Sequence, residues 1–140
     1  MADASFEKLG STDRCLYGMR KLLLCGFAAE AQPKFKTLLK MIGIAPVPLV
    51  WGTAQDAKET VGILLSRPDG SGEGIDSGLP RAIIVSGVEE NELHTLISGC
   101  RQAGMRQALW AALTPTSETW PLGQLLKELS AERAAIAKNQ

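Results

Sequence analysis

Leu22-Leu23-Leu24-Cys25-Gly26 recurs 61 positions later as Ile83-Ile84-Val85-Ser86-Gly87, and the fold follows if these are two copies of one strand and its turn. Carried outward without a gap, Leu22–Leu65 overlies Ile83–Leu126. Gly26 meets Gly87, Gly43 meets Gly104, Thr53 meets Thr114, Gly62 meets Gly123, and Leu64-Leu65 meet Leu125-Leu126. Six identities in 44 positions are few, against roughly two or three expected from ordinary composition. Their places, at turns and helix ends, carry more weight than their number.

Within the first copy, Lys21–Cys25 reads as a fully buried strand, because its apolar run does not alternate and stops at Gly26. From Ala28 the period changes. Ala31, Phe35, Leu38, Leu39 and Ile42 recur at helical spacing, Pro33 restricts the helix start to the neighbourhood of Glu30, and Gly43 stands where a left-handed residue ends a helix. Pro46–Trp51 is extended, and its two prolines suit a strand near an edge. Asp56 precedes a short helix, about Ala57–Leu65.

The second copy repeats the order. Arg81–Val85 is a strand, and Glu89, Glu90 and Glu92 crowd the positive end of the next helix. Leu93, Leu96, Ile97, Cys100 and Ala103 form its buried stripe, and Gly104 closes it. Gln107–Leu113 is the fourth strand, Thr114–Thr119 a polar turn, and Pro121 opens a last helix with Leu122, Leu125, Leu126, Leu129 and Ile136 on one face. Between the copies, Ser66–Leu79 holds four glycines and several acids and reads as a mobile connection.

The expected organisation is therefore an N-terminal arm (1–20) and one α/β domain (21–140), made of two βαβα repeats (21–65 and 80–132) joined by the Gly-rich linker 66–79. Each βαβ unit should cross over right-handedly. One four-stranded sheet with helices packed on it results. It is either a ferredoxin-like sandwich with an extra helix per repeat or a small, mostly parallel three-layer sheet. The direction in which strand two returns to strand three decides between them.

Composition excludes several function classes. The chain has 140 residues, 45% of them hydrophobic, and its fifteen basic residues balance fifteen acidic ones. No net field draws it to nucleic acid or to an anionic membrane. Cys15, Cys25 and Cys100 form no C-x-x-C pair, and an odd count argues against a disulfide framework. Cys25 and Cys100 read as buried thiols. The first twenty residues have no signal-peptide core and no run is long enough to span a membrane, so a reducing, cytoplasmic setting is the expectation.

No constellation encodes catalysis. The Gly70–Gly74 loop lacks the Lys and hydroxyl of a P-loop, and its acids repel phosphate. Ser86 lacks the flanking glycines of a nucleophile elbow. His94, the only histidine, has Glu90 one turn earlier as its one plausible acid–base partner, and an exposed helix pair accounts for both. With one His and dispersed Cys, no metal-ligand spacing exists and no cofactor is implied. Trp51, Trp110 and Trp120 are not interleaved with basic residues as in a nucleic-acid platform. The turns at Gly26 and Gly87 are better placed, because ligands of α/β sheets bind beyond the carboxyl ends of strands. Both glycines are equally explained by tight strand-to-helix turns.

Pro80–Leu93, the stretch Arg101-Gln102-Ala103-Gly104-Met105 and the run Ala112–Glu132 resemble a small bacterial domain, the domain of unknown function three-seven-eight-three. The likeness covers Pro80 to about Glu132, and its most specific element is Thr114-Pro115-Thr116 with Trp120. The first copy looks like a diverged sibling, with Ala54, Gln55 and Glu59 in place of Pro115, Thr116 and Trp120. The resemblance implies no activity, cofactor or catalytic residue. On physical grounds Ser117 or Thr119 caps the last helix and Trp120 staples it. Alternatively the hydroxyls of Thr114 and Thr116 and the Trp120 indole rim a ligand.

The leading expectation is a non-enzymatic module acting through a protein partner or self-association, with neither nucleic acid nor membrane as partner. The alternative is a small-metabolite sensor with its pocket at Gly26, Gly87, Thr114, Thr116 and Trp120. An enzyme comes third.

Overall fold

The computed structural model describes residues 14–138. Met1–Asp13, most of the expected arm, lie outside the described residues. Four strands, β1 (Lys21–Cys25), β2 (Leu49–Gly52), β3 (Ala82–Ser86) and β4 (Leu109–Ala112), alternate with four helices. The helices are α1 (Gln32–Met41), α2 (Val61–Leu65), α3 (Glu90–Gln102) and α4 (Leu122–Lys138).

The strand order is β2-β1-β3-β4. β1–β2 and β3–β4 are parallel, and the central pair β1–β3 is antiparallel. The register contains the repeat. Leu22 lies opposite Leu49 and Ile83 opposite Trp110, so both partners move by the same 61 positions. In the central ladder Leu22 faces Val85, Leu24 faces Ile83, and Leu23 faces its own equivalent, Ile84. An internal two-fold axis therefore passes between Leu23 and Ile84. Thr60 bridges its equivalent Pro121, flanked by Val61 N–H donating to Trp120 (3.0 Å) and Leu122 N–H donating to Glu59 (2.8 Å).

Of the two expected architectures this is the small, mostly parallel sheet. A ferredoxin-like sandwich would leave one sheet face free of helices, and here both are covered. On one face Phe35 and Leu39 of α1 and Leu96 and Cys100 of α3 pack on Leu22, Leu24, Trp51, Ile83 and Val85. On the other, Val61, Leu64 and Leu65 of α2 and Leu122, Leu125 and Leu126 of α4 pack on Leu23, Cys25, Val50, Ile84 and Leu109. Strand two does not return beside strand three. Every residue of β1 and β3 is buried, as befits central strands covered on both faces, whereas β2, preceded by Pro46 and Pro48, lies at an edge.

The glycine helix ends follow the expected chemistry, whereas Ser117 and Thr119, expected to cap the last helix, bond to Thr114 and Thr116 instead. Gly43 (φ +79°) and Gly104 (φ +95°) adopt the left-handed conformation after α1 and α3, with matching bonds from Ile44 N–H to Leu39 and from Met105 N–H to Cys100. A Cβ at either meets nothing within 4 Å. Alanine there is expected to cost only the left-handed penalty, about 1 kcal/mol, and to shift both urea midpoints alike.

The Ser66–Leu79 connection departs from the expectation of a loose linker. It runs along the outer edge of β2, where Leu49 N–H donates to Asp69 Oδ1, Gly70 N–H to the Leu49 carbonyl and Trp51 N–H to the Ser71 carbonyl, each at 2.8 Å. Buried Ser77 accepts from Gly26 N–H (2.9 Å) and donates to the Gly52 carbonyl (2.6 Å). Gln32 of α1 holds the segment through Gly74 and Ile75. Residues 14–20 are tied down at the other end of the sheet. Leu16 N–H donates to Val88, Gly87 N–H to Tyr17 and Glu90 N–H to Arg14, while Arg20 grips Glu92 in a bidentate pair (2.7 and 2.8 Å). Two residues expected on buried helix faces are not buried: Ile136 is 60% exposed, and Ala103, at the end of α3, is exposed.

Candidate functional site

Each of the two turns singled out in the sequence is closed by the chain itself. A Cβ on Gly26 would stand 2.5 Å from the Arg81 backbone, and one on Gly87 would stand 2.5 Å from the backbone of Gly18–Arg20. These are the segments that enter the opposite central strand, so glycine is required there for one backbone to cross another. Because β1 and β3 are antiparallel, Gly26 and Gly87 lie at opposite ends of the sheet. Gly87 shares its end with the Thr114 turn, and Gly26 does not.

The Thr114–Trp120 segment bonds mostly to itself. Thr114 N–H donates to Ser117 Oγ (3.0 Å) and Ser117 N–H to Thr114 Oγ1 (2.9 Å). The equivalent turn in the first half uses a carboxylate for the same work, Thr53 N–H donating to Asp56 Oδ2 (2.9 Å). Thr116 is exposed and its carbonyl accepts from Thr119, and half-buried Trp120 packs beside α2 and α4.

A cavity of about 320 Å³ opens at the carboxyl ends of β3 and β4, beside this turn. Tyr17, Gly18 and Met19 form one wall, Gly62, Leu65 and Ser66 a second, and Ser86, Leu113 and Glu118 the floor and far side. Tyr17 donates to Glu118 at 2.5 Å, and this carboxylate, as hydrogen-bond partner, holds the phenol above its ordinary pKa. Ser86 Oγ donates to the Met19 carbonyl (2.6 Å). Among the described residues no cation lies within ion-pair distance of Glu118.

The cavity exists because the two halves differ. At 61 positions' distance Gly18 corresponds to Leu79, Ser86 to Cys25, Leu113 to Gly52 and Glu118 to Ala57. Leu79 is partly buried against the core on its side, whereas Gly18 carries no side chain and lies directly against Ser86 and Leu113, where an added Cβ would collide with Ser86 Oγ. Had the repeat been carried four residues upstream of Leu22, the Gly18–Leu79 mismatch would have marked this place.

The sheet edges differ as well. Leu109 and Leu113 turn their N–H groups inward to Arg81 and Val85, so those of Trp110 and Ala112 point outward, like the groups of Leu49 and Trp51 in β2. The segment 66–79 takes up the β2 groups. On β4, Arg133 of α4 takes the carbonyls of Gln107 and Ala108 only. Among the described residues nothing bonds to the backbone N–H of Trp110 or Ala112.

Little else has catalytic form. His94 is exposed, beside a shallow cleft with Ile42, Ser98 and Gln102, and no hydrogen bond joins it to Glu90. Burial pushes the Cys25 thiol up to about 12 and the Cys100 thiol up to about 11, so neither is a thiolate near neutrality. Among the described residues no three His, Cys, Asp or Glu side chains converge, and no helix is long and apolar enough to cross a membrane.

Residues 81–136 match the family described as a domain of unknown function (DUF3783), and this domain occupies the second half of the chain. The match begins at Arg81, where β3 is entered, and ends within α4. No curated protein and no solved structure matches the chain.

Proposed function

We propose that this protein, whose second half is a DUF3783 domain, is a non-catalytic α/β module that associates with a second copy of itself through the β4 edge. The observation that carries the reading is the contrast between the edges. The outer groups of β2 are satisfied by the chain's own 66–79 segment, and among the described residues nothing bonds to the equivalent N–H groups of β4. Exposed strand edges are ordinarily blunted by charge, proline or a bulge. Ala108–Leu113 carries no charge and no proline.

The strand is complementary to itself. In an antiparallel pair the outward groups of Trp110 exchange both hydrogen bonds with Ala112 of the second copy, and the reverse. A large indole then lies opposite a methyl on each side. Zero net charge leaves no long-range repulsion between copies.

Proline at Ala112 removes an outward donor and spares the β3–β4 ladder, and lysine at the same position charges the edge. Sedimentation velocity on the wild type is expected to show a concentration-dependent dimer. Ala112→Pro should dissociate about 100-fold more readily, the worth of two lost hydrogen bonds at about 1 kcal/mol or more each, and Ala112→Lys should also dissociate more readily by placing like charges across the edge, both with unchanged circular dichroism. A wild type that stays monomeric at high micromolar concentration rules the reading out.

A further inference from the structure

We propose that the cavity at the carboxyl ends of β3 and β4 is a binding site for a small apolar molecule bearing a protonated amine, with Glu118 as the counter-charge, Tyr17 as its hydrogen-bonding neighbour and Leu65, Leu113 and Met19 as the apolar walls. The site is independent of the β4 edge, and neither result decides the other.

Three observations converge on this ligand. The volume, about 320 Å³, falls at the small end of ligand sites and suits one ring with a short chain. Relative to the first half, one position has lost its side chain (Leu79 to Gly18), one has gained a carboxylate (Ala57 to Glu118), and one has gained an apolar wall (Gly52 to Leu113). In a fold whose halves otherwise agree residue by residue in register, those changes fall together around one space. The third observation is at the rim. Met19 is 70% exposed and Tyr17 45% exposed, so among the described residues two large side chains flank an uncovered opening.

Charge selects the class. None of the lining residues is basic; of the basic neighbours, Arg20 is held by Glu92 and by the carbonyls of Ala45 and Pro46, Arg67 by Asp56, and the Lys21 ammonium donates to the Arg67 carbonyl. An acid entering the site would meet Glu118 without a compensating cation. A neutral ligand would leave the carboxylate with the Tyr17 hydroxyl alone. An ammonium supplies the opposite charge that Glu118 lacks among the described residues, while its apolar body displaces water from Leu65 and Leu113.

The test is a two-dimensional NMR titration of the full chain with three isosteres: 2-phenylethylamine, 2-phenylethanol and phenylacetate. The amine should bind saturably and shift the amides of Tyr17, Met19, Leu65 and Leu113. The alcohol should bind about tenfold more weakly and the acid not measurably. Glu118→Gln should lower amine affinity about tenfold and abolish its preference over the alcohol. Ser66→Trp, at an exposed lining position, should block entry without disturbing the fold. Failure of the amine to bind, equal binding of all three probes, or binding that survives both variants would each overturn the assignment. Folding of each variant is read from its own spectrum, so a lost signal is distinguishable from a lost site.

Discussion

Alanine at Gly26 or at Gly87 is expected to destabilise the protein by about 2–5 kcal/mol, the sum of a left-handed backbone penalty and an overpacking term. The two residues have φ of +80° and +66°, and each added Cβ would lie 2.5 Å from main-chain atoms. The obstructing backbone has no slack on either side. Arg81 donates from Nε to the Gly26 carbonyl (3.0 Å), Gly26 N–H is held by Ser77, and Gly87 N–H by the Tyr17 carbonyl (3.0 Å). A domain of this size has about 5–15 kcal/mol in all, so either substitution removes a large share. Chemical denaturation of both variants measures it. Midpoints close to that of wild type would mean that the crossings are wider than the geometry states. Unequal losses would mean that the two-fold axis relating them does not extend to the strand ends.

The next largest effects are expected from truncating equivalent core residues, Phe35→Ala in α1 and Leu96→Ala in α3. Large-to-small changes at buried sites cost about 2–5 kcal/mol. Phe35 is 2% exposed and Leu96 fully buried. Phe35 should be the costlier, because its ring meets Phe27 edge-on at 5.1 Å and Trp51 at 6.3 Å, contacts worth about 0.5–1.5 kcal/mol beyond area. Leu96 has no aromatic partner of this kind. Urea unfolding followed by tryptophan fluorescence and by far-ultraviolet circular dichroism checks both the size and the unity of the loss. A Phe35→Ala variant as stable as wild type would reduce the first half to an appendage on a self-sufficient second half.

Much of this architecture was legible in the sequence, and the illegible parts have physical causes. The uninterrupted apolar runs at Leu22 and Ile83 identify strands covered on both faces, and Gly43 and Gly104 identify helix ends, because each rests on a local constraint. Strand order does not. A strand that is apolar at every position carries no mark of which neighbour it takes, so the central β1–β3 pairing was open. The Ser66–Leu79 stretch reads as solvated because it is polar and rich in glycine. Its work is to satisfy the backbone of β2, which short side chains and bare amides do well and composition does not reveal. The last helix was expected to bury Ile136. A 17-residue helix is about 25 Å long and a strand of four or five residues about 15 Å, so its final turns run past the sheet. The cavity was missed for a different reason: one of its walls is Tyr17, Gly18 and Met19, which precede the repeat as read from Leu22.

The central position of β1 also has a consequence for the birth of the chain. On the ribosome Lys21–Cys25 emerges long before Ala82–Ser86, and at about 5–20 residues per second the interval is about 3–12 s. β2 arrives within that time and covers one side of β1. The other side, an unpaired edge of Leu22, Leu23 and Leu24, stays open until the second half is made. Because the ladder it awaits is two-fold symmetric, that edge is equally matched to the same edge on a neighbouring nascent chain. Crowded synthesis on one messenger is therefore expected to favour strand exchange between chains.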